Sequence, residues 1–299
     1  MAEDQGVNGD IWNDQASALL TQFNWEKLGD SNIDLPNEEK GKSGVDGLFT
    51  YVDSLKANLK EGVIVEAKRY KTDSFSSSSL QTWITVLDKK LTNLKNSEEL
   101  REKFPILGDI PLRMGVIVIW FHNLNDYHSF KSTFLNYQTN VKLGRKNQPS
   151  NKIYVLENEA ILRLASLHLS IKELNSKVDD RFQFYYPSVD LHPAKRSKTL
   201  NINYMISKFI LGDFTDNEGV ENKVVFYFGT LSMESFQRLK HALISYSYID
   251  NDKPLIIFTY HRDDEEFRKI KPEVLKHFNN HLDLREMEIL GNLPTFMRS

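Results

Sequence analysis

The 299-residue chain contains no cysteine. Disulfides and thiolate metal sites are therefore excluded, and a reducing compartment suits it. Long hydrophobic runs are missing too. The longest, residues 116–121, falls far short of the roughly 20 apolar residues that a helix needs to cross a bilayer. The chain begins with the acidic, polar Ala2-Glu3-Asp4-Gln5, without a basic stretch followed by an apolar one, as a secretory signal would have. Neither sign of charge dominates: 38 Lys and Arg stand against 41 Asp and Glu, a formal net charge of −3. This excludes a uniformly basic coat but leaves room for a local basic groove. Internal repeats, low-complexity tails, GxGxxG, GxxxxGK[ST] and GxSxG are all absent. We expect a soluble, cytoplasmic protein with no membrane-embedded part.

What is present suffices for packed cores, with 40% hydrophobic and 11% aromatic residues. The length predicts two domains. Residues 11–23 carry Trp12, Ala16, Leu19, Leu20 and Phe23 at spacings of three and four, one stripe of a helix. A short strand is expected around residues 32–35 and others at 48–52 and 63–68. Residues 80–94 repeat apolar residues with helical spacing behind a serine run suited to an N-cap. Residues 114–121, Met-Gly-Val-Ile-Val-Ile-Trp-Phe, read as a strand buried on both faces. The order is helix, three strands, helix, strand. Further on, helices are expected at 126–137 and 157–174 and strands at 152–156 and 182–186. The proline-containing, basic segment 187–198 reads as a linker. Strands at 205–211, 224–228, 255–260 and 284–289, with helices at 233–245 and 264–278, predict an α/β layer with parallel strands. We set the domains at 1–188 and 189–299.

The stretch from Gly44-Val45-Asp46-Gly47 to Val63-Ile64-Val65-Glu66-Ala67-Lys68-Arg69-Tyr70 organises the rest. Strand alternation puts Val63, Val65 and Ala67 on one face and Ile64, Glu66 and Lys68 on the other. Turn signals in residues 53–62 predict that 48–52 folds back beside 63–68, bringing Asp46 near Glu66. Two carboxylates with a backbone carbonyl nearby make an oxygen site for a hard cation such as Mg²⁺. Lys68 then stands beside the metal-bound water.

Asp46 with Glu66-Ala67-Lys68 at a strand end resembles the PD-(D/E)xK signature of restriction-endonuclease-like nucleases. Gly-Val-Asp followed by Val-Glu-Ala-Lys-Arg-Tyr is most similar to the Mrr-like branch, which cuts DNA. Val45 stands where the family name has proline. The resemblance implies an N-terminal restriction-endonuclease-like αβββαβ core, a mixed sheet flanked by helices, ahead of the C-terminal α/β domain. It implies Asp46, Glu66 and the Ala67 carbonyl as ligands of Mg²⁺, with Mn²⁺ as a substitute, and Lys68 as the catalytic lysine. Gln81 becomes a candidate on the helix after the motif, because several branches direct a glutamine from there to the active site. Arg69 and Lys71 are placed to hold flanking phosphates, and the basic residues 142–152 and 195–198 extend the groove. Trp12 is followed by Asn13 and Asp14 rather than glutamate, so no ligand is assigned to the first helix. The implied function is DNA cleavage in microbial defence, with the second domain serving regulation, homo-oligomerisation or a partner subunit. A catalytically silent DNA-binding scaffold and an RNA-cutting effector of the same fold are the alternatives.

Other motifs carry less. Gly229-Thr230-Leu231-Ser232 reads as a strand-to-helix turn capped by Ser232 rather than a phosphate loop. His261-Arg262-Asp263-Asp264 has the kinase catalytic-loop triplet without its companions, and acidic residues suit a helix start. His277 and His281, four apart, lack the glutamate of HExxH, and the other six of eight histidines do not cluster.

Overall fold

Helix α1 (Val7–Thr21) buries Trp12, Ala16, Leu19 and Leu20, the stripe expected from their spacing. The computed structural model describes residues 7–36, 41–56, 59–142, 151–175, 181–188, 193–249, 253–261, 265–278 and 282–297. The chain divides into two compact units. One comprises residues 1–52, 60–161 and 291–299; the other comprises 53–59 and 162–290. No helix among the described residues is long and apolar enough to cross a membrane.

In the first unit, α1 is followed by β1 (Glu26–Lys27), β2 (Ile33–Pro36), β3 (Lys42–Val45), β4 (Gly47–Asp53) and β5 (Leu59–Tyr70). Then come α2 (Ser77–Leu94), α3 (Glu98–Lys103), β6 (Leu112–Phe121), α4 (Leu124–Thr139), β7 (Lys152–Leu156) and the start of α5 (Asn158–Asn175). Five strands form one sheet in the order β1-β4-β5-β6-β7, and β2 pairs with β3 in a separate ribbon. β5, β6 and β7 run parallel, whereas β1 is antiparallel to β4. This mixed sheet with helices around it is the αβββαβ core expected from the sequence.

Period-two alternation decides the faces. Ile64, Ile117, Ile119 and Phe121 bury against Leu80, Ile84, Leu87 and Leu91 of α2 and against Tyr127 and Phe134 of α4. Each such side chain contributes roughly 1.5–3 kcal/mol when fully buried. On the opposite face Trp12 donates from Nε1 to the Val118 carbonyl at 3.3 Å, with its ring 6.2 Å from that of Trp120. Ser76 starts α2 as its N-cap, Oγ accepting from the Ser79 amide at 3.2 Å. Close approach of α2 depends on Gly115, where a Cβ would lie 2.7 Å from Leu87 Cδ2.

The second unit carries β8 (Phe182–Tyr186), β9 (Lys195–Ser197), α6 (Ile202–Met205), β10 (Phe209–Thr215) and β11 (Glu221–Tyr227). It continues with α7 (Met233–Ser245), β12 (Leu255–Thr259), α8 (Glu265–His277) and β13 (Leu282–Glu286). Its sheet has the order β13-β12-β11-β10-β8-β9. β11, β12 and β13 are parallel, as the strand–helix alternation predicts. β10, β8 and β9 pair antiparallel, which that alternation does not predict. The β10–β11 turn closes where Asp216 Oδ1 accepts from the Glu218 and Val220 amides and Gly219 takes φ +82°. The strand expected at 205–211 is displaced. Asn201 caps α6 by accepting from the Asn203 amide at 2.8 Å, and β10 begins only at Phe209. It then runs through Asp213, a buried carboxylate held by Lys223 at 2.8 Å and by Arg196.

Candidate active site

Asp46 lies between β3 and β4, and Glu66 and Lys68 lie on β5, whose sheet neighbours are β4 and β6. Asp46 Oδ2 accepts the Ala67 amide at 2.7 Å, which fixes its carboxylate against β5. Lys68 Nζ stands 3.6 Å from Asp46 Oδ2 and 3.6 Å from Glu66 Oε2. The structure therefore brings together the three residues of the sequence motif.

A fourth group joins them. Lys90, from the last third of α2, donates to Glu66 Oε1 at 2.6 Å. Leu87 sits over Gly115 on β6, which pairs with Ile64 of β5, and Lys90 follows Leu87 by three positions on the same helix face. Glu66 and Ile64 share the sheet face that α2 covers, so Lys90 reaches Glu66. Its signal in the sequence is a lysine three residues from a core leucine. That signal becomes informative only once the strand beneath the helix is known.

The cluster is largely enclosed: the Glu66 side chain is 9% exposed, Lys68 18%, Asp46 19% and Lys90 22%. Burial raises the Glu66 carboxyl above the usual carboxylate range, and the charge of Asp46 raises it further, while Lys90 and Lys68 pull it down. Among the described residues no group of three or more His, Asp or Glu side chains comes together that could hold a metal. The donors at hand are the carboxylates of Asp46 and Glu66. This all-oxygen set fits Mg²⁺, which keeps several waters and takes only one or two carboxylates from a protein. A buried carboxylate beside another carboxylate also favours a cation there.

The other sequence candidates lie elsewhere. Gln81 is nine residues before Lys90 on α2, about 13 Å along the helix axis. Its amide instead clasps the backbone of Lys142, Nε2 donating to the carbonyl and Oε1 accepting the amide, both at 2.8 Å. Arg69 is half-buried near the end of β5 and Lys71 is exposed just beyond it. Lys71 lines a cleft of about 760 Å³ with Thr72, Asp73, His122, Asn123 and Phe130, off the adjoining ends of β5 and β6. Asp14 on α1 accepts from Ser31 at 2.7 Å and pairs with Lys27 at 3.7 Å. Residues 143–150 of the basic loop lie outside the described residues. In the other basic segment the half-exposed Arg196 is paired with Asp213 and Glu221.

Ser232 caps α7 by accepting the Ser235 amide at 3.3 Å, as the turn reading predicts. Arg262, Asp263, Asp264 and His281 lie outside the described residues. His277 is lowered by burial and by the neighbouring charges of Lys240 and His241, and its carbonyl accepts from Lys240 at 2.5 Å.

No curated protein and no solved structure matches the chain. A family model described as the GAPS4 protein PD-(D/E)XK nuclease domain matches residues 1–160 of the 299. That span holds the five-stranded sheet, α2, and all four members of the Asp46–Glu66–Lys68–Lys90 cluster. The chain belongs to this family, and with it to the PD-(D/E)XK nuclease superfamily.

Proposed function

We propose that the protein is a metal-dependent nuclease that hydrolyses phosphodiester bonds in DNA, with Asp46, Glu66 and Lys68 as its catalytic centre. The observation that supports this reading most is the convergence of Asp46 and Glu66 on the two sides of the Lys68 ammonium. Asp46, Glu66 and the Ala67 carbonyl are the residues that hold Mg²⁺ or Mn²⁺. When bound, the cation supplies Lewis-acid polarisation of the scissile phosphate and a lowered pKa for water. Asp46 is held for this task by the Ala67 amide, which consumes one carboxylate lone pair and leaves the others for a cation.

Hydrolysis adds water across one P–O ester bond, leaving a phosphate monoester and a free hydroxyl. Lys68 orients the attacking water by donating a hydrogen bond to its oxygen and stabilises the extra negative charge on the pentacovalent phosphorus. Its enclosure strengthens that interaction, because charges act over a lower effective dielectric there than in water. Arg69 and Lys71 hold neighbouring phosphates and position the strand without reading its sequence. The similarity of the motif to Mrr-like nucleases supports DNA as the substrate and microbial defence as the setting. The second unit then serves control, through oligomerisation or a partner subunit.

The test uses matched DNA and RNA of one sequence with the purified protein in Mg²⁺ or Mn²⁺. The reading expects DNA to be cut and Glu66→Gln to abolish the cut. Cleavage of RNA alone would replace the substrate assignment. Undiminished cleavage by Glu66→Gln would remove the site.

A further inference from the structure

The cluster is already electrically balanced without any metal. Asp46 and Glu66 contribute two negative charges, and Lys68 and Lys90 contribute two positive ones. The two lysines are not equivalent. Lys68 stands 3.6 Å from an oxygen of each carboxylate, longer than a hydrogen bond to either. Lys90 makes a direct contact of 2.6 Å with Glu66 Oε1, the length of a charge-assisted hydrogen bond. A cation that takes Glu66 Oε1 must share that oxygen with the Lys90 ammonium, against the repulsion of the two positive charges, or displace it. One that takes Oε2 leaves an ammonium within one carboxylate's width of a doubly charged ion.

We propose that Lys90 is an internal counter-ion that competes with the divalent cation for Glu66 and so sets how tightly the site takes metal. This rests on the reading of Asp46 and Glu66 as the metal ligands. Lys90 is suited to give way where Lys68 is not. It reaches the cluster from a helix, through a long side chain that is 22% exposed, so it can swing toward solvent. Lys68 is rooted in the central strand between the two carboxylates. The resting site then has a weak appetite for metal by construction. Lys90 is a positioning residue here, acting through Glu66.

Mn²⁺ binding to the full-length protein, followed by electron paramagnetic resonance without nucleic acid, reads this directly. Lys90→Met keeps the length of the side chain and removes its charge, and we expect it to bind Mn²⁺ about tenfold more tightly or better. Lys90→Arg restores the competitor and returns the affinity toward wild type. Lys89→Met, an exposed neighbour, removes the same net charge and is expected to leave affinity within about twofold, because surface charges facing solvent are screened. An unchanged or weaker affinity in Lys90→Met, with Asp46→Ala still weakening Mn²⁺ binding, overturns the role of Lys90 alone. Equal Mn²⁺ binding by wild type and Asp46→Ala overturns the metal site itself. Should Lys90→Met fold poorly, Lys90→Gln gives the same comparison.

Discussion

Gly115→Ala is the sharpest structural test of how the site is assembled. The added methyl would lie 2.7 Å from Leu87 Cδ2, 2.9 Å from Cγ and 3.2 Å from Cδ1. Real Cβ atoms do not approach carbon so closely. Leu87 is wholly buried among Leu80, Leu91, Ile64 and Ile117 and has nowhere to swing. The remaining relief is for α2 to lift off β6. Overpacking of this kind costs about 1–3 kcal/mol, less a few tenths regained because alanine suits a strand better than glycine. The four tryptophans, Trp12, Trp25, Trp83 and Trp120, all lie in the first unit, so their fluorescence in a urea titration follows that unit alone. Leu87→Ala by itself should cost about 2–5 kcal/mol through the cavity it leaves. Combined with Gly115→Ala, the new methyl occupies part of that cavity, and the double variant should be more stable than the sum of the two losses predicts. Lifting α2 also draws Lys90 from Glu66, so Mn²⁺ affinity should rise in Gly115→Ala although no charge has changed. Wild-type stability in Gly115→Ala, with strictly additive losses in the double variant, would refute the close-approach reasoning.

Two more outcomes follow. The raised carboxyl of Glu66 means that the native state binds its proton more tightly than the unfolded chain does. The stability this supplies is complete below the unfolded value and is lost as pH rises through the folded value. Glu66→Gln should therefore gain on wild type as pH climbs from about 4.5 upward, in melting curves followed by tryptophan fluorescence. A difference that does not vary with pH would contradict the shift. Glu157, also raised mainly by burial, is present in both proteins and cancels. Gln81→Ala removes two hydrogen bonds to Lys142 and should cost about 1 kcal/mol of stability while leaving DNA cleavage within about twofold. A hundredfold loss of cleavage would return Gln81 to the reaction.

The strand at residues 63–68 and the helix behind the serine run were legible because a single periodicity governs each. Ile64, Glu66 and Lys68 share a face in the structure as in the alternation, and Ser76 caps α2. The fold-back that brings Asp46 to β5 was legible from turn residues between two short strands. Lys90 was not, because its contact depends on how near and in which direction α2 crosses the sheet, which Gly115 decides. The partner of Gln81 was not legible for the same reason: the start of α2 meets Lys142, 61 residues away. In the second unit, the strand expected at 205–211 stopped short of the end of β10, which runs on through Asp213, a buried carboxylate neutralised by Lys223 and Arg196. The antiparallel part of that sheet was missed because the strand–helix alternation was extended to 205–211 and 224–228, which no helix separates; the short turn between them, closed by Asp216 and Gly219, returns the chain antiparallel.

The central claim is that Asp46, Glu66 and Lys68 form a metal-dependent nuclease site. Its most direct test is cleavage of plasmid, linear and single-stranded DNA in Mg²⁺ or Mn²⁺, with wild type beside Asp46→Ala and Lys68→Ala. The account predicts that wild type cuts, that chelation stops it, and that each substitution lowers the rate by about a hundredfold or more with the fold intact by circular dichroism. Cleavage that survives both substitutions would contradict it and place the chemistry elsewhere.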